Sequence, residues 1–578
     1  MPRQASVPLA RYLFTRLAQQ NVRSLFGVPG DFTLKAQDHV ESSGLKWIGN
    51  CNELNAGYAA DGYARTRGLG ALMTTYGVGE LSAVNAVTGS YSEHVPVVHI
   101  VGTPATRLQV QIKDMALRDH RHVHHTLADP TRLGVFGEIA AKVTAAQVKL
   151  DSADSAAEKV DWVIDEAIRH SRPVYVELPS DLVDADVDGS RLGDPIGSVV
   201  PNSSEIRIAE GEARKLMHRL CSAKQPLLLI DRGMGVQGLR EEINSFVRAS
   251  GIPTLCMPSG AGMVENDLPN YYGVHSGPVG KVDTMSYVES ADFVLAFGPM
   301  FSDTQTLGWN VLPDRAKTTI FGRTAVDNVA VDGSQILCNM SKALNENEIL
   351  IPGAANEKVE LLSNWRNATK LEATPADERI NQTGLYDRLN QYLRPHDTVI
   401  LGNATPIIGG RDMVLPRGAR VVASGMWFSI GHMLPAALGV GLARREHGQK
   451  GRTILIDGDG NIQMTIQEIS SIIRERLDIT IFIVQNQGYA YERLIHGLHE
   501  SYNDLAPWRY LEAARFFGAP DDYPVSCHRV ETWADLDGVL GDAGFCEPNG
   551  LKLIELVLDK YDVPDKFRQV FRRAGENL

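Results

Sequence analysis

Residues 453–486 read "TILIDGDGNIQMTIQEISSIIRERLDITIFIVQN". Two apolar runs rich in β-branched residues enclose a segment whose isoleucines at 466, 469, 472 and 473 follow helical spacing. The stretch therefore predicts a strand, a helix and a neighbouring parallel strand. The carboxyl ends of two such strands meet at one edge of the sheet, where ligands bind in open α/β folds. We expect a ligand site at this edge.

The composition excludes several function classes. Hydrophobic residues make up 43% and charged residues 22% of the 578-residue chain, which is ordinary for a globular protein. The net charge of -13 argues against a nucleic-acid or anionic-membrane partner. The six cysteines are scattered, without CxxC or zinc spacing. We find no signal-peptide core, no apolar run of membrane-spanning length and no organelle address in the ending "GENL". These features predict a reduced, cytoplasmic protein.

The length and two polar stretches predict three domains. Residues 184–205 are rich in Asp, Gly, Ser and Pro, and residues 350–384 are polar and weakly periodic. They divide the chain into 1–185, 200–345 and 380–578, each alternating apolar runs with helical patterns as parallel α/β domains do. The runs predicted as strands are 24–28, 70–76, 95–102, 226–231, 293–298, 397–403, 453–459 and 479–486.

The glycine-flanked Asp459 suggests a cation beside an anionic ligand. A buried carboxylate is costly unless a positive charge lies next to it, and glycines allow close approach of a ligand to the backbone. Asn486 follows the next strand, and Gly488 can turn its carbonyl toward a ligand. A carboxylate, an amide oxygen and a carbonyl suit Mg²⁺, and phosphate oxygens commonly complete its shell. We expect the helix after Asn461 to point N–H groups at such phosphates. A tight βα turn with a capping aspartate is the alternative.

The stretches "GDGNIQMTIQEISSIIRERL" and "FIVQNQGYAYERLIHG" resemble the thiamine diphosphate signature, most closely that of the pyruvate/indolepyruvate decarboxylase family. Gln485 and Gln487 depart from the usual residues, whereas Asn486 matches the family's metal ligand. The resemblance covers essentially the whole chain. It implies three doubly wound parallel-sheet α/β domains: a pyrimidine-binding domain, a central domain and a diphosphate-binding domain. It also implies Mg²⁺ bound by Asp459, Asn486 and Gly488.

Glu53 is the candidate for the other half of the cofactor site. It lies in "WIGNCNELNAGYAADGYAR", where a strand-like run meets an Ala- and Gly-rich helix, and burial there would favour its protonated form. An acidic residue at a helix N-terminus is the plain alternative. The segment closely resembles the family's glutamate motif, as residues 74–104 resemble the adjacent motif. The resemblance implies that Glu53 bonds the cofactor's aminopyrimidine and so helps to activate it.

Other positions match cofactor-binding residues of the family. Gly402 and Asn403 in "LGNATP" depart from the acidic residue and the Thr or Gln of relatives. The resemblance implies that the cofactor is bound by Glu53, Thr405, Phe428, Ser429, Ile430, Asp459, Gly460, Asn461, Asn486, Gly488, Tyr489 and Tyr491.

The tract "DHRHVHHTLADP", residues 119–130, is either a transition-metal site or a polar loop on composition alone. "HHTL" resembles the adjacent histidine pair of 2-oxo acid decarboxylases, and Asp31 and Glu492 match the family's catalytic acids. An Asp–His pair and a Glu are suitable proton carriers for this chemistry. The resemblance implies the catalytic residues Asp31, Glu53, His124, His125 and Glu492.

The implied activity is the non-oxidative decarboxylation of a 2-oxo acid to an aldehyde and CO₂ through a thiamine diphosphate enamine. A thiamine-dependent carboligase that makes an acyloin and a non-catalytic regulatory paralogue stay open. The family also implies a homodimer or homotetramer, because one cofactor contacts the first domain of one subunit and the third domain of another.

The predicted substrate pocket comprises Asp31, His125, Thr304, Tyr491 and Glu492. Thr304 stands where pyruvate-specific members tend to have a large aromatic residue, and Tyr491 where the family usually has Ile or Val. The resemblance therefore suggests a pocket that is widened on one side and narrowed on the other. Such a pocket fits a 2-oxo acid other than pyruvate, either aromatic or branched.

A possible dinucleotide fingerprint, Gly233-x-Gly235-x-x-Gly238, follows the predicted strand at 226–231. A lone GxGxxG is a weak signal, and the acidic residue expected after the next strand is missing. We therefore expect a close strand–helix packing turn here and no NAD or FAD.

Overall fold

The computed structural model describes residues 6–197, 202–235, 239–346, 349–362, 365, 374–566 and 568–569. The chain forms two compact units: Met1–Val200 with Leu438–Gly448, and Pro201–Ala437 with Gln449–Leu578. Among the described helices, none is both long and apolar enough to cross a membrane. No disulfide joins the six cysteines, all of which lie in the described residues.

The first unit contains a six-stranded parallel sheet of order β3-β2-β4-β5-β7-β6, with β1 and β8 forming a separate antiparallel pair. The central strands β4 and β5 are buried along their whole length, as expected for a parallel sheet covered by helices on both faces. Its strands are β1 (Ser6–Pro8), β2 (Ser24–Gly27), β3 (Lys46–Gly49), β4 (Gly70–Thr75), β5 (Val97–Thr103), β6 (Ala146–Lys149), β7 (Val174–Pro179) and β8 (Asp186–Asp188). Its helices are α1 (Leu9–Gln19), α2 (Leu34–Gln37), α3 (Glu53–Arg67), α4 (Val78–Ser92), α5 (Thr106–Asp119), α6 (Val135–Ala140) and α7 (Ala153–His170).

The second unit contains two sheets, of which the first has the order β11-β10-β9-β12-β13-β14-β15. It is parallel from β11 to β13, and β14 and β15 add an antiparallel hairpin at one edge. Its strands are β9 (Pro226–Ile230), β10 (Thr254–Cys256), β11 (Tyr271–Val274), β12 (Phe293–Phe297), β13 (Thr318–Phe321), β14 (Ala325–Val326) and β15 (Val329–Ala330). The helices of this part are α8 (Ser203–Ser222), α9 (Arg240–Ser250), α10 (Met285–Ser290) and α11 (Gly333–Glu346).

The other sheet of the second unit is wholly parallel, with the order β17-β16-β18-β19-β21-β20. Its strands are β16 (Thr398–Leu401), β17 (Arg420–Ala423), β18 (Thr453–Gly458), β19 (Ile479–Gln485), β20 (Val525–Val530) and β21 (Leu551–Val557). The helices that connect these strands are α12 (Gln382–Tyr392), α13 (Thr405–Gly410), α14 (Met433–Glu446), α15 (Asp459–Thr465), α16 (Ile469–Arg474), α17 (Ala490–Ile495), α18 (Ala513–Phe516), α19 (Trp533–Gly541) and α20 (Ala543–Cys546). Residues 438–446 of α14 belong to the first unit.

The predicted strands and the parallel α/β class are confirmed, since every run predicted as a strand forms one. The first and last sheets have the same topology. If the six strands of each sheet are numbered along the chain, their order across the sheet is 2-1-3-4-6-5. The domain boundaries at 185, 200, 345 and 380 stay a prediction.

The helix predicted after Asn461 differs from the helix in the structure in two ways. It begins earlier, at Asp459, and it is interrupted between α15 and α16 by a 3₁₀ turn at Ile466–Glu468. Thr465 leaves helical backbone at φ −141°, with its hydroxyl donating to the Gly431 carbonyl at 2.8 Å. The isoleucines still face the core, because helical spacing resumes in α16, where Ile469, Ile472 and Ile473 are all buried.

The two predicted linkers also contain regular structure. Residues 184–205 include β8 and the start of α8, and residues 350–384 include two 3₁₀ turns and the start of α12. Residues 198–201, 363–364 and 366–373 lie outside the described residues.

The first glycine of the GxGxxG motif supports a packing turn. A Cβ on Gly233 would lie 2.5 Å from the Gly298 carbonyl oxygen, so the two backbones approach too closely for a side chain. Gly238 lies outside the described residues.

Candidate active site

A cavity of about 270 Å³ lies at the carboxyl ends of β16, β18 and β19. β16 pairs in parallel with β17 on one side and β18 on the other, so the order of strands reverses between β16 and β18. Such a reversal separates the loops that follow the two strands and leaves a crevice between them. β19 extends the sheet beyond β18, which adds a third loop to the same edge.

Most of the site residues predicted for this unit meet in this cavity. The wall contains Thr304, Thr405, Phe428, Ile430, Asp459, Gly460, Asn461, Asn486, Gly488, Tyr489, Tyr491 and Glu492. Ser429 is not among the residues that line the cavity; its carbonyl accepts a hydrogen bond from Asn403 Nδ2 at 2.6 Å. Sequence reasoning missed Ala404, Val484 and Ala490, which also line the wall.

Backbone N–H groups hold the Asp459 carboxylate in place. Its Oδ1 accepts from Gly460 at 2.8 Å, and its Oδ2 accepts from Asn486 at 3.1 Å and from Gly488 at 3.2 Å. The residue is 2% exposed, and burial raises its pKa to about 6 against the opposing effect of these hydrogen bonds. A buried carboxylate that is costly to ionise is stabilised by a cation.

Two glycines at this edge are required by their neighbours. Gly488 has φ +149°, and a Cβ there would clash with the Asn503 carbonyl oxygen. A Cβ on Gly460 would lie 2.6 Å from the ring of Tyr489. The chain therefore passes close to the carboxylate on both sides.

These residues fit a magnesium ion that holds a diphosphate. The Asp459 carboxylate, the Asn486 side chain and Gly488 line one cavity and provide the hard oxygen donors that Mg²⁺ prefers. Asn403 Oδ1 is buried without a hydrogen-bond partner among the described residues, and Asn403 lines the same cavity. An acceptor in this state is expected to meet a donor on a bound ligand.

Three residues around the cavity have left-handed backbone although they are not glycine. The φ angles are +66° at Ala404, +52° at Phe428 and +60° at Gln487. Such conformations are uncommon and cluster at ligand sites, because the surrounding structure must hold them in place. They support the assignment of this cavity as a functional site.

Asp457 explains why position 402 is glycine. A Cβ on Gly402 would clash with Asp457 Oδ1, so the aspartate fills the space of the missing side chain. That oxygen accepts from the Asn461 side chain at 2.6 Å, and Asn461 Nδ2 also donates to the Asn403 carbonyl at 3.2 Å. Burial raises the pKa of Asp457 to about 7. The register of β16 against β18, in which Leu401 pairs with Ile456, brings Gly402 and Asp457 together.

The same cavity is lined by the candidate acid Glu492 and by the predicted pocket residues Thr304 and Tyr491. Burial raises the pKa of Glu492, which follows Tyr491 in the first turn of α17. Burial also raises the pKa of Tyr491, aided by the charges of Glu492 and Asp303. Thr304, Tyr491 and Phe428 line a second, smaller cavity as well.

In the first unit, Asp31 and the histidine pair come together. His124 Nε2 and Asp31 Oδ2 are 2.5 Å apart, and His125 Nε2 lies 3.9 Å from Asp31 Oδ1. The Phe32 ring stacks on His124 with a centroid distance of 5.0 Å. The potential metal-ligand atoms of Asp31, His124 and His125 lie within 4.8 Å of one another, so the geometry permits a metal as well as a proton relay. His120 and His122 are exposed and are not part of this group.

Glu53 lies at the first position of α3, after the capping Asn52. A Cβ on Gly79 would be 3.1 Å from Glu53 Oε1, so the carboxylate lies against the start of α4. A Cβ on Gly77 would clash with the His125 carbonyl oxygen. The start of α4 therefore packs against both Glu53 and the histidine segment.

Comparisons with known proteins show the family of the chain. Models of the thiamine pyrophosphate enzyme family match the chain in order: the N-terminal TPP binding domain on residues 8–130, the central domain on 213–343 and the C-terminal TPP binding domain on 402–556. A pyruvate decarboxylase of Aspergillus parasiticus is 40% identical over 571 residues, 97% of this chain and 96% of its own. The chain belongs to the pyruvate decarboxylase family of thiamine diphosphate enzymes.

Further members of the pyruvate decarboxylase family show the same coverage. A pyruvate decarboxylase of Aspergillus fumigatus is 37% identical across 98% of this chain and 97% of its own. Pyruvate decarboxylase isozyme 3 of Saccharomyces cerevisiae is 34% identical across 97% of both chains. The two TPP binding domains of the family contain the two groups of site residues, with Glu53 and Asp31 in the first and Asp459 in the second.

Proposed function

We propose that the chain catalyses the non-oxidative decarboxylation of a 2-oxo acid to an aldehyde and CO₂ with thiamine diphosphate. The supporting observation is the cavity at the β16–β18 reversal, where Asp459, Asn486 and Gly488 lie in one wall and Glu492 in another part of it. Family membership does not favour a carboligase or a non-catalytic paralogue. The chain works in the cytoplasm.

Mg²⁺ would be held by the Asp459 carboxylate, the Asn486 amide oxygen and the Gly488 carbonyl. Thiamine diphosphate supplies the electron sink that lets CO₂ leave the 2-oxo acid. The cofactor would be bound by Thr405, by Phe428 to Ile430, and by Gly460, Asn461 and Tyr489, with Tyr491 beside its reactive part.

The remaining residues hold and move protons. Glu53 would hold a proton at the ring nitrogen of the cofactor's pyrimidine. His124 Nε2 bonds Asp31 Oδ2, which fixes the orientation of this imidazole beside the carboxylate. His125 and Asp31 would exchange protons with the substrate's oxygen. The burial that raises the pKa of Glu492 keeps this carboxyl protonated to higher pH, so it can donate a proton to the reacting carbon.

The active form is a homodimer or a homotetramer. Glu53 belongs to the first unit and Asp459 to the second, yet a single thiamine diphosphate needs both. In the family the two domains at one cofactor come from different subunits, and we propose the same arrangement for this chain.

The substrate is a 2-oxo acid larger than pyruvate, with an aryl or branched side chain. Thr304 and Tyr491 line the cavity together with Glu492. The small threonine leaves room on one side, and the tyrosine ring narrows the other.

Product analysis tests the proposal. The holoenzyme is given pyruvate, phenylpyruvate, indolepyruvate and branched-chain 2-oxo acids, with and without added aldehyde, and CO₂, aldehyde and acyloin are measured. We expect CO₂ and aldehyde, with a higher kcat/KM for the larger acids. Glu492→Gln should abolish turnover, whereas Glu500→Gln, a change at an exposed acid of the same unit, should not. Acyloin as the main product would favour the carboligase, and no CO₂ from any acid would refute the proposal.

A further inference from the structure

A second cavity, of about 60 Å³, adjoins the first. The two cavities share Thr304, Phe428 and Tyr491 as walls, so these side chains separate them. This volume exceeds the roughly 30 Å³ that one water molecule occupies in the liquid and is of the size of a small polar group. The proposed function leaves the second cavity unused.

Arg411 lines this second cavity, and two of its guanidinium nitrogens lack a hydrogen-bond partner among the described residues. The residue is 6% exposed, and neither Nε nor Nη2 has a hydrogen-bond partner among the described residues. Burial lowers the pKa of Arg411, opposed by the charge of Asp412. A buried guanidinium is costly without a hydrogen-bonded anion.

Two acids of this unit, Asp412 beside Arg411 in the chain and Asp387 on α12, are paired with lysines. Lys566 Nζ donates to Asp412 Oδ2 at 2.7 Å, and Lys281 Nζ donates to Asp387 Oδ1 at 2.6 Å. Both aspartates are therefore engaged by lysines, and neither fills the missing hydrogen bonds of Arg411 Nε and Nη2.

Gln305 offers a second unpartnered donor in the wall of the same cavity. It is 3% exposed, and its Oε1 accepts from the Ser259 backbone N–H at 2.8 Å. Because that N–H requires an oxygen, the amide orientation is determined, and Nε2 is the atom without a partner among the described residues.

We propose that the second cavity is a carboxylate-binding site, formed by Arg411 and Gln305. A guanidinium and an amide N–H are the donors that carboxylates prefer, and a planar guanidinium can bind both carboxylate oxygens. A carboxylate between them would satisfy donors on two separate elements, the segment after α13 and the segment after β12.

Asp303 also lines the second cavity and opposes an anion there. Its carboxylate accepts from the Thr304 N–H at 2.8 Å and acts on Tyr491, whose pKa it helps to raise. It is not among the charges that act on Arg411. Asp303 therefore weakens the site without occupying it, and its removal should tighten carboxylate binding.

The carboxylate has two possible sources. One is the distal carboxylate of a dicarboxylic 2-oxo acid whose reacting end lies in the first cavity, with the chain passing between Thr304 and Tyr491. The other is a separate carboxylate that binds next to the substrate and changes turnover. The first source rests on the proposed decarboxylation, with a dicarboxylic acid in place of an aryl or branched one, and the second requires only the site.

Steady-state kinetics test the first source. 2-Oxopentanedioate and 2-oxopentanoate differ only in the terminal group, so the ratio of their kcat/KM values isolates the distal carboxylate. Arg411→Met should lower this ratio by about tenfold or more, because hydrogen bonds to a charged group are lost. Arg411→Lys should lower the ratio of kcat/KM values less than Arg411→Met does, and Asp303→Asn should raise this ratio.

Thermal unfolding of the holoenzyme tests the site independently of turnover. Pentanedioate should raise the midpoint, uncharged pentanediamide should not, and Arg411→Met and Gln305→Ala should remove the pentanedioate effect. Because Arg411 Nε and Nη2 have no hydrogen-bond partner in the described part of the chain, Arg411→Met should not lower the unfolding midpoint in the absence of ligand. A lower midpoint without ligand would indicate a folding defect and not the loss of a carboxylate site.

The pattern of inhibition then assigns the source. If pentanedioate competes with 2-oxopentanoate and leaves kcat unchanged, the distal carboxylate of the substrate occupies the site. If it changes kcat without competition, a separate carboxylate does. An unchanged kinetic ratio in Arg411→Met, together with no pentanedioate-dependent shift in the wild type, would overturn the proposal. Failure of CO₂ release from every 2-oxo acid would refute the proposed function instead, and the unfolding test would still decide the site.

Discussion

Glu80 lies in the first turn of α4, whose start packs against Glu53 and the histidine segment. Its Oε1 accepts from the Gly77 N–H at 2.7 Å, and its Oε2 accepts from the Tyr175 hydroxyl at 2.7 Å. Glu80→Gln keeps both contacts, because the amide oxygen still accepts from Gly77 and the NH₂ group can donate to Tyr175. The substitution therefore mimics the protonated acid.

The expected effect follows from the pKa of Glu80, which burial raises from 4.5 to about 7, with a smaller contribution from the Glu177 charge. Below pH 4.5 the carboxyl is protonated in the folded and unfolded chain alike, and the stability is fully present. Between pH 4.5 and 7 only the folded state keeps the proton, so the unfolding free energy falls as pH rises. At about 1.36 kcal/mol per pKa unit, the loss is roughly 3 kcal/mol above pH 7.

Urea unfolding of the two proteins at pH 5 and pH 8 measures this effect. Glu80→Gln should exceed the wild type by less than about 1 kcal/mol at pH 5 and by up to roughly 3 kcal/mol at pH 8. Glu41→Gln, a change at an exposed glutamate of the same unit, should leave the pH dependence unaltered. A Glu80→Gln protein that is less stable than the wild type at pH 8, or that has the same pH profile, would refute the reasoning.

Three further predictions concern the cofactor and substrate. Asp459→Ala should lose Mg²⁺-dependent thiamine diphosphate binding in calorimetric titration; unchanged affinity would mean that the diphosphate is held elsewhere. Inactive Glu53→Gln and Asp459→Ala proteins, mixed under subunit exchange, should regain some activity, and no recovery after confirmed exchange would argue for sites built within one chain. Tyr491→Val should raise kcat/KM for phenylpyruvate relative to pyruvate by at least about tenfold, since a single methylene is worth about 10–200-fold; a fall in that ratio would show that the ring binds the aryl group.

Local pattern explains why the strands, and the meeting of Asp459, Asn486 and Gly488 at one cavity, were predictable. Alternating or continuous apolar runs indicate strands that are buried in a sheet. A helix between two such runs indicates that the strands are parallel, so their carboxyl ends lie at the same edge of the sheet. Asp459, Asn486 and Gly488 each follow a strand end, so their convergence needed only the neighbouring parallel pairing of β18 and β19. The break after α15 was not predictable, because it involves the Gly431 carbonyl from a distant part of the chain.

The sequence by itself determined the α/β class, the order of the elements and the residue types available at each strand end, because these depend on spacing along the chain. Only the tertiary structure decided that Asp457 fills the place of a side chain at Gly402, and that Arg411 and Gln305 border one cavity without partners. The reason is that a clash or an unpaired buried donor is defined by every group that packs around it. Those groups come from strands and loops far apart in the sequence, and spacing along the chain carries no record of their distances.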